Sequence, residues 1–145
     1  MGVVYIYTFA MEKILELREI KEKNVMEEFA LSQNELLNQE SILTSLNKQY
    51  ESAKEKGLEV MDIYELRQHD LYKHSLEDRI EKQEELIKLQ NEELEKIRLD
   101  LIDAQKERKI MENLKEKDFD TYKENIKSLE QKELDEMAIL RFGKA

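Results

Sequence analysis

The sequence predicts an all-α fold, an antiparallel two-helix coiled-coil hairpin with a longer second helix. Three observations predict it. The chain has no proline, and Gly57 is the only glycine between Gly2 and Gly143, so one position alone offers a natural break in helix. Charged residues make up 40% of the 145 and aromatics 7%, with no Trp; a little over half of all residues are Ala, Glu, Lys, Leu or Arg, the composition of long helices and coiled coils. Finally, apolar residues recur in alternating steps of four and three, the period of a helix that meets another helix along one stripe.

The first helix is expected over residues 9–56. Its seam runs from Met11 through Leu15, Arg18, Glu22, Val25, Phe29, Ser32, Leu36, Gln39, Leu43, Leu46 and Tyr50 to Ala53, apolar at nine of thirteen positions. Thr8 stands where its hydroxyl can cap the first turn, and Glu12 suits the positive end of the helix dipole. The turn is expected over 57–61. Lys54 and Lys56 favour a helix C-terminus there, and Gly57 can take a left-handed cap conformation without a side-chain clash. Asp62 with Glu65 approximates a capping box that restarts the chain as a helix over 62–141.

The second seam is less pure: Leu66, His69, Lys73, Leu76, Ile80, Gln83, Ile87, Gln90, Leu94, Ile97, Leu101 and Ala104. Past about residue 110 the apolar positions slip to Leu114, Phe119, Tyr122, Ile126, Leu129, Met137 and Leu140, as a straight helix drifts against a strict heptad. Together the elements form a single elongated coiled-coil domain, 1–145. At about 1.5 Å per residue the arms measure roughly 70 and 120 Å, so they are unequal. Folding about residue 59 or 60 puts Leu43 near Leu76 and Met11 near Arg108, and everything from about 110 onward overhangs with an apolar stripe that needs a cover. Either a partner or the apolar N-terminal "VVYIYTF" could supply it.

Composition also excludes functions. A net charge of −10 argues against nucleic acid, whose phosphates require a basic face. No cysteine is present, hence no disulfide framework and no zinc–thiolate site. The opening "MGVVYIYTFAM" lacks the basic flank and the length of a signal peptide or membrane span. His69 and His74, five apart, point in different directions on a helix and share no metal, and no phosphate loop or convergent pocket is evident. No catalytic residue, no cofactor, no metal and no direct small-molecule substrate are therefore expected: the chain is not read as an enzyme. In "KERKIMENLKEK", residues 106–117, basic residues outnumber acidic ones, either as a collar for an acidic partner or as an ordinary solvated face.

The residues resemble a known family. "YTFAMEKILELREIKEK", with Tyr7, Phe9, Leu15, Arg18 and Glu22, is similar to the opening of the FliJ family of flagellar export proteins. "AQKERKIMENLKEKDFDTY" matches its run of Ala104, Arg108, Lys109, Glu112, Leu114, Lys115 and Tyr122, and "KELDEMA" its closing Glu133, Asp135 and Glu136 before Ala138. The resemblance covers nearly the whole chain, including a glycine at the bend. It implies a soluble stalk of the bacterial flagellar type III export apparatus. Such a stalk seats its terminal end in the hexameric export ATPase and contacts the membrane export gate near its bend, with other export chaperones as further partners. The implied location is cytoplasmic, at the inner face of the cell membrane. Ring contacts would fall on Arg108, Lys109, Glu112, Lys115, Tyr122, Glu133, Asp135, Glu136, Met137, Leu140 and Phe142, and gate contacts on Gln39, Leu43, Leu46, Tyr50, Tyr72 and Leu76. The other readings are a homodimeric parallel coiled-coil scaffold and the equivalent stalk of a virulence secretion system.

Overall fold

The long apolar period does produce two helices. In a computed structural model, which describes residues 6–59 and 62–143, α1 runs Glu12–Lys56 and α2 runs Ile63–Phe142, joined through a 3-10 turn at Gly57–Glu59. There is no strand among the described residues. The fold is an all-α antiparallel hairpin with the longer arm second. Contacts group it into two units: residues 24–101, which contain the turn, and residues 1–23 with 102–145.

In the turn-containing unit, α1 ends with Lys54 and Lys56 in its last turn. Gly57 is not the left-handed cap expected of it, because the 3-10 turn continues the right-handed winding and no described residue has positive φ. Space is what Gly57 supplies: a Cβ there would lie 2.5 Å from His69 Nε2 and 2.8 Å from His69 Cδ2. Asp62 then starts α2 as an N-cap. Its carbonyl accepts from Leu66 N at 2.9 Å and its Oδ1 from Tyr64 N at 3.2 Å, satisfying a first-turn donor. The predicted seams are the inward faces except at Leu66, which is exposed beside the turn; Ser32, Ala53, Leu76 and Gln83 are buried and the intervening seam positions from Val25 to Tyr50 half-buried. Gln39 meets Gln83 and Ser32 meets Gln90. That register places Leu76 opposite Leu46 rather than Leu43, because the arms pair about residue 61 and each residue of shift in the turn moves the pairing by two.

In the other unit, the first turns of α1 pack on residues 102–119 of α2, with Leu15, Ala104 and Met111 buried. Here the seam is largely ionic. Glu22 holds Arg108, Arg18 and Lys21 converge on Glu107 at 2.6 and 3.2 Å, and Glu12 meets Lys115 at 2.8 Å. Met11 therefore does not lie near Arg108 as the sequence suggested; it is exposed, and Glu12 takes the seam position. Helix α1 also begins at Glu12 rather than near Thr8. Phe9 and Met11 carbonyls, not the Thr8 hydroxyl, receive the first amides.

Residues 6–9 are non-helical and run back along α2. Tyr7 donates to Lys115 O at 3.3 Å and Asp118 Oδ2 at 3.1 Å, and its ring meets Phe119 edge-on at 4.9 Å and Tyr122 at 5.2 Å. These aromatic contacts each add about 0.5–1.5 kcal/mol beyond area burial. The stripe is therefore not bare from near 110: Tyr7, part of the N-terminal segment named above as one possible cover, reaches Phe119 and Tyr122, and Ile126 is the last half-buried residue of α2. Every described residue from 127 to 143 is exposed.

Candidate functional site

That uncovered end carries Leu129, Leu134, Met137, Leu140 and Phe142, the last three 67%, 65% and 78% exposed. Leu129, Met137 and Leu140 continue the helical stripe of Phe119, Tyr122 and Ile126, so one face turns from covered to bare along a single helix. Glu133, Asp135 and Glu136 are exposed around it, and Gln131 donates to Asp135 Oδ1 at 3.0 Å.

The remaining predicted ring residues are differently placed. Arg108 is held by Glu22 and by Glu112, the latter at 2.7 Å; the hydrogen bond to Glu112, then that to Glu22, pushes its guanidinium pKa up. Lys115 is tied to Glu12, and Tyr122 is half-buried beneath Tyr7. Lys109 is exposed. Sequence reasoning missed the partners of this group, although Glu12 and Glu22 showed themselves as acids on or beside an otherwise apolar seam. Tyr7 was marked only by the apolar character of its segment, which has no helical period to point to Lys115, Asp118 or Phe119. Desolvation, followed by the hydrogen bond to Asp118, raises the Tyr7 pKa above its usual value.

Near the turn, the six predicted gate residues divide sharply. Tyr72 is exposed, whereas Leu76 is 0% exposed and has no surface to offer. Leu43 and Leu46 are half-buried seam residues, and Gln39 is bonded across the seam to Gln83. Tyr50 donates to Glu77 Oε1 at 3.0 Å, and Glu77 also receives His74 Nδ1 at 3.2 Å. The Tyr50 bond first, then that from His74, holds the Glu77 carboxyl below the ordinary range, while the same bond raises Tyr50. Leu58, Ile63 and Tyr64 add exposed apolar surface at the turn.

Among the described residues no group of three or more His, Asp or Glu is placed to hold a metal, and no helix is long and apolar enough to cross a membrane. What the molecule presents is apolar side chains on helix faces, at the turn and on the far end of α2. These features define a helical-hairpin protein that carries exposed apolar side chains along its helices. The comparisons name the family within that class. The family model for the flagellar FliJ protein matches residues 7–145, and the chain belongs to that family, a component of flagellar protein export. The flagellar FliJ protein of Bacillus subtilis (strain 168) is 27% identical over 140 residues, spanning 94% of this chain and 95% of that one. No solved structure matches.

Proposed function

We propose that this protein is the stalk that couples the hexameric flagellar export ATPase to the membrane export gate, hydrolysing nothing itself. The observation that carries the reading is the bare stripe of Leu129, Met137 and Leu140, continuous with the covered seam and exposed on a helix otherwise built to be partnered. A socket in the ATPase ring would remove this apolar surface from water, at about 25 cal/mol per Å². Glu133, Asp135, Glu136 and Phe142 would meet the rim of that socket, with Lys109 and Glu112 nearer the hairpin. Arg108, Lys115 and Tyr122 would serve it indirectly, by fixing α2 against Glu22, Glu12 and Tyr7. Gate contact would rest on Tyr72 and the exposed edges of Leu43, Leu46 and Tyr50, with Leu76 supporting them from within. The protein would act on the cytoplasmic face of the membrane, where other export chaperones are further candidate partners.

A stalk in a six-fold ring touches its subunits unequally and can bias their nucleotide states. The test is ATPase assembly and turnover with purified ring subunit. Met137→Asp with Leu140→Asp should abolish the stimulation given by the native chain while leaving the hairpin's melting unchanged, because both side chains are already in water. Undiminished stimulation would overturn the reading.

A further inference from the structure

The turn-containing unit places amide and hydroxyl groups where a hairpin seam normally holds aliphatic ones. Ser32 and Gln83 are each only 7% exposed. Gln90 Nε2 donates to Ser32 Oγ at 3.0 Å and to Ser32 O at 3.3 Å. Gln83 Nε2 donates to Gln39 O at 2.9 Å and also to Gln39 Oε1. We propose that these two polar layers, Ser32–Gln90 and Gln39–Gln83, are a register lock that selects one sliding position of α1 on α2.

The argument is combinatorial. Ser32 and Gln39 lie seven residues apart, and so do Gln83 and Gln90, so in the observed register all four polar side chains find one another. Slide α2 by one heptad in one direction, and Gln39 faces Gln90 while Ser32 faces Ile97 and Gln83 faces Leu46. Slide it the other way, and Ser32 faces Gln83 while Gln39 faces Leu76 and Gln90 faces Val25. Either slip strands two polar side chains against aliphatic ones, where an amide or hydroxyl loses its water without gaining its partner.

Within residues 24–101 the aliphatic seam positions discriminate poorly. Leu36, Leu43 and Leu46 on α1 and Ile80, Ile87 and Leu94 on α2 are interchangeable in volume, so a heptad slip leaves aliphatic facing aliphatic. Backbone carbonyls discriminate no better, since every register offers one. Discrimination comes from the side-chain oxygens, Gln39 Oε1 and Ser32 Oγ. A buried polar residue setting register at some expense of stability is a recognised use of such groups in coiled coils.

The chain has no cysteine, so an introduced pair can report the register by itself. Asn34→Cys with Gln68→Cys puts spin labels on two exposed positions staggered by about 30 Å along the helices, at ~1.5 Å per residue. A one-heptad slip changes that stagger by roughly 10 Å. Two variants of this labelled protein decide the matter. With Ser32, Gln39, Gln83 and Gln90 all changed to Leu, the seam stays apolar enough to fold, and the single distance should split into the native one and one displaced by about 10 Å. With Leu76→Gln and Gln90→Leu, the polar positions of α2 move one heptad toward the turn, and the distance should shorten by about the same amount. If either variant keeps the native distance alone, the turn with its Asp62 cap, or the ion pairs made by Glu12, Glu22 and Glu107, set the register and the proposal is overturned.

Discussion

At the scale of single residues, Gly57 is the position whose meaning the structure changes most. Its sequence context suggested a left-handed cap, yet its φ is ordinary and its value is the room it leaves for His69. The His69 Nε2 is buried with no hydrogen-bond partner among the described residues, and this edge of the half-buried ring lies against Gly57, so a new methyl group must displace it. Gly57→Ala is accordingly expected to destabilise the protein by about 1 kcal/mol through overpacking. In a His69→Ala background the clash is gone, and the same substitution should stabilise by about 0.4–1 kcal/mol by restricting the unfolded chain. Urea unfolding of the four proteins, followed by far-UV circular dichroism, gives the cycle; equal effects in both backgrounds would show that His69 is not the obstacle.

Between elements, the first turns of α1 grip α2 through charge, and this grip is pH-dependent. Glu107 receives Lys21 and Arg18; the Lys21 hydrogen bond foremost, together with the two positive charges, holds its carboxyl below the ordinary 4.5. A carboxylate with a depressed folded-state pKa stabilises the fold above its unfolded pKa and loses that contribution as the pH falls through the folded value. Native protein and Glu107→Gln should therefore differ in melting temperature at neutral pH and converge below about pH 4. A difference that persists undiminished to pH 3 would mean that the glutamine disturbs packing rather than charge. This seam also shows what was legible. Leu15, Arg18, Glu22 and their successors were readable as the inward face because a period of 3.5 is a property of one helix alone. Pairing partners were not, since register depends on where the turn closes, and moving the centre from residue 59 or 60 to 61 changes every partner. The apolar N-terminal "VVYIYTF" was legible as one possible cover for the stripe past 110, and Tyr7 does lie on Phe119 and Tyr122; which residues it meets was not, because a non-helical segment has no period to betray the face it covers.

For the molecule as a whole, stability and partner binding fall on different residues. The seams of both units, the ion pairs to Arg108 and Glu107, and the Tyr7 cluster bury surface within the chain. By contrast, all described residues from 127 to 143 are exposed and no tertiary hydrogen bond engages them. The bare stripe accordingly contributes nothing to holding α1 on α2, and a stop after Ile126 should leave thermal stability within about 0.5 kcal/mol of the native value, the range of surface changes. Helical signal should fall in proportion to the residues removed, because this end of α2 is helix without tertiary support. Calorimetry alongside circular dichroism separates the two effects. A truncated chain that melts well below the native one would mean that 127–143 packs on the hairpin in solution, and the stripe would then be core rather than a docking surface. If stability is kept, loss of ATPase stimulation on the same truncation can be assigned to a missing contact, since the fold that presents Arg108, Lys115 and Tyr122 is still in place.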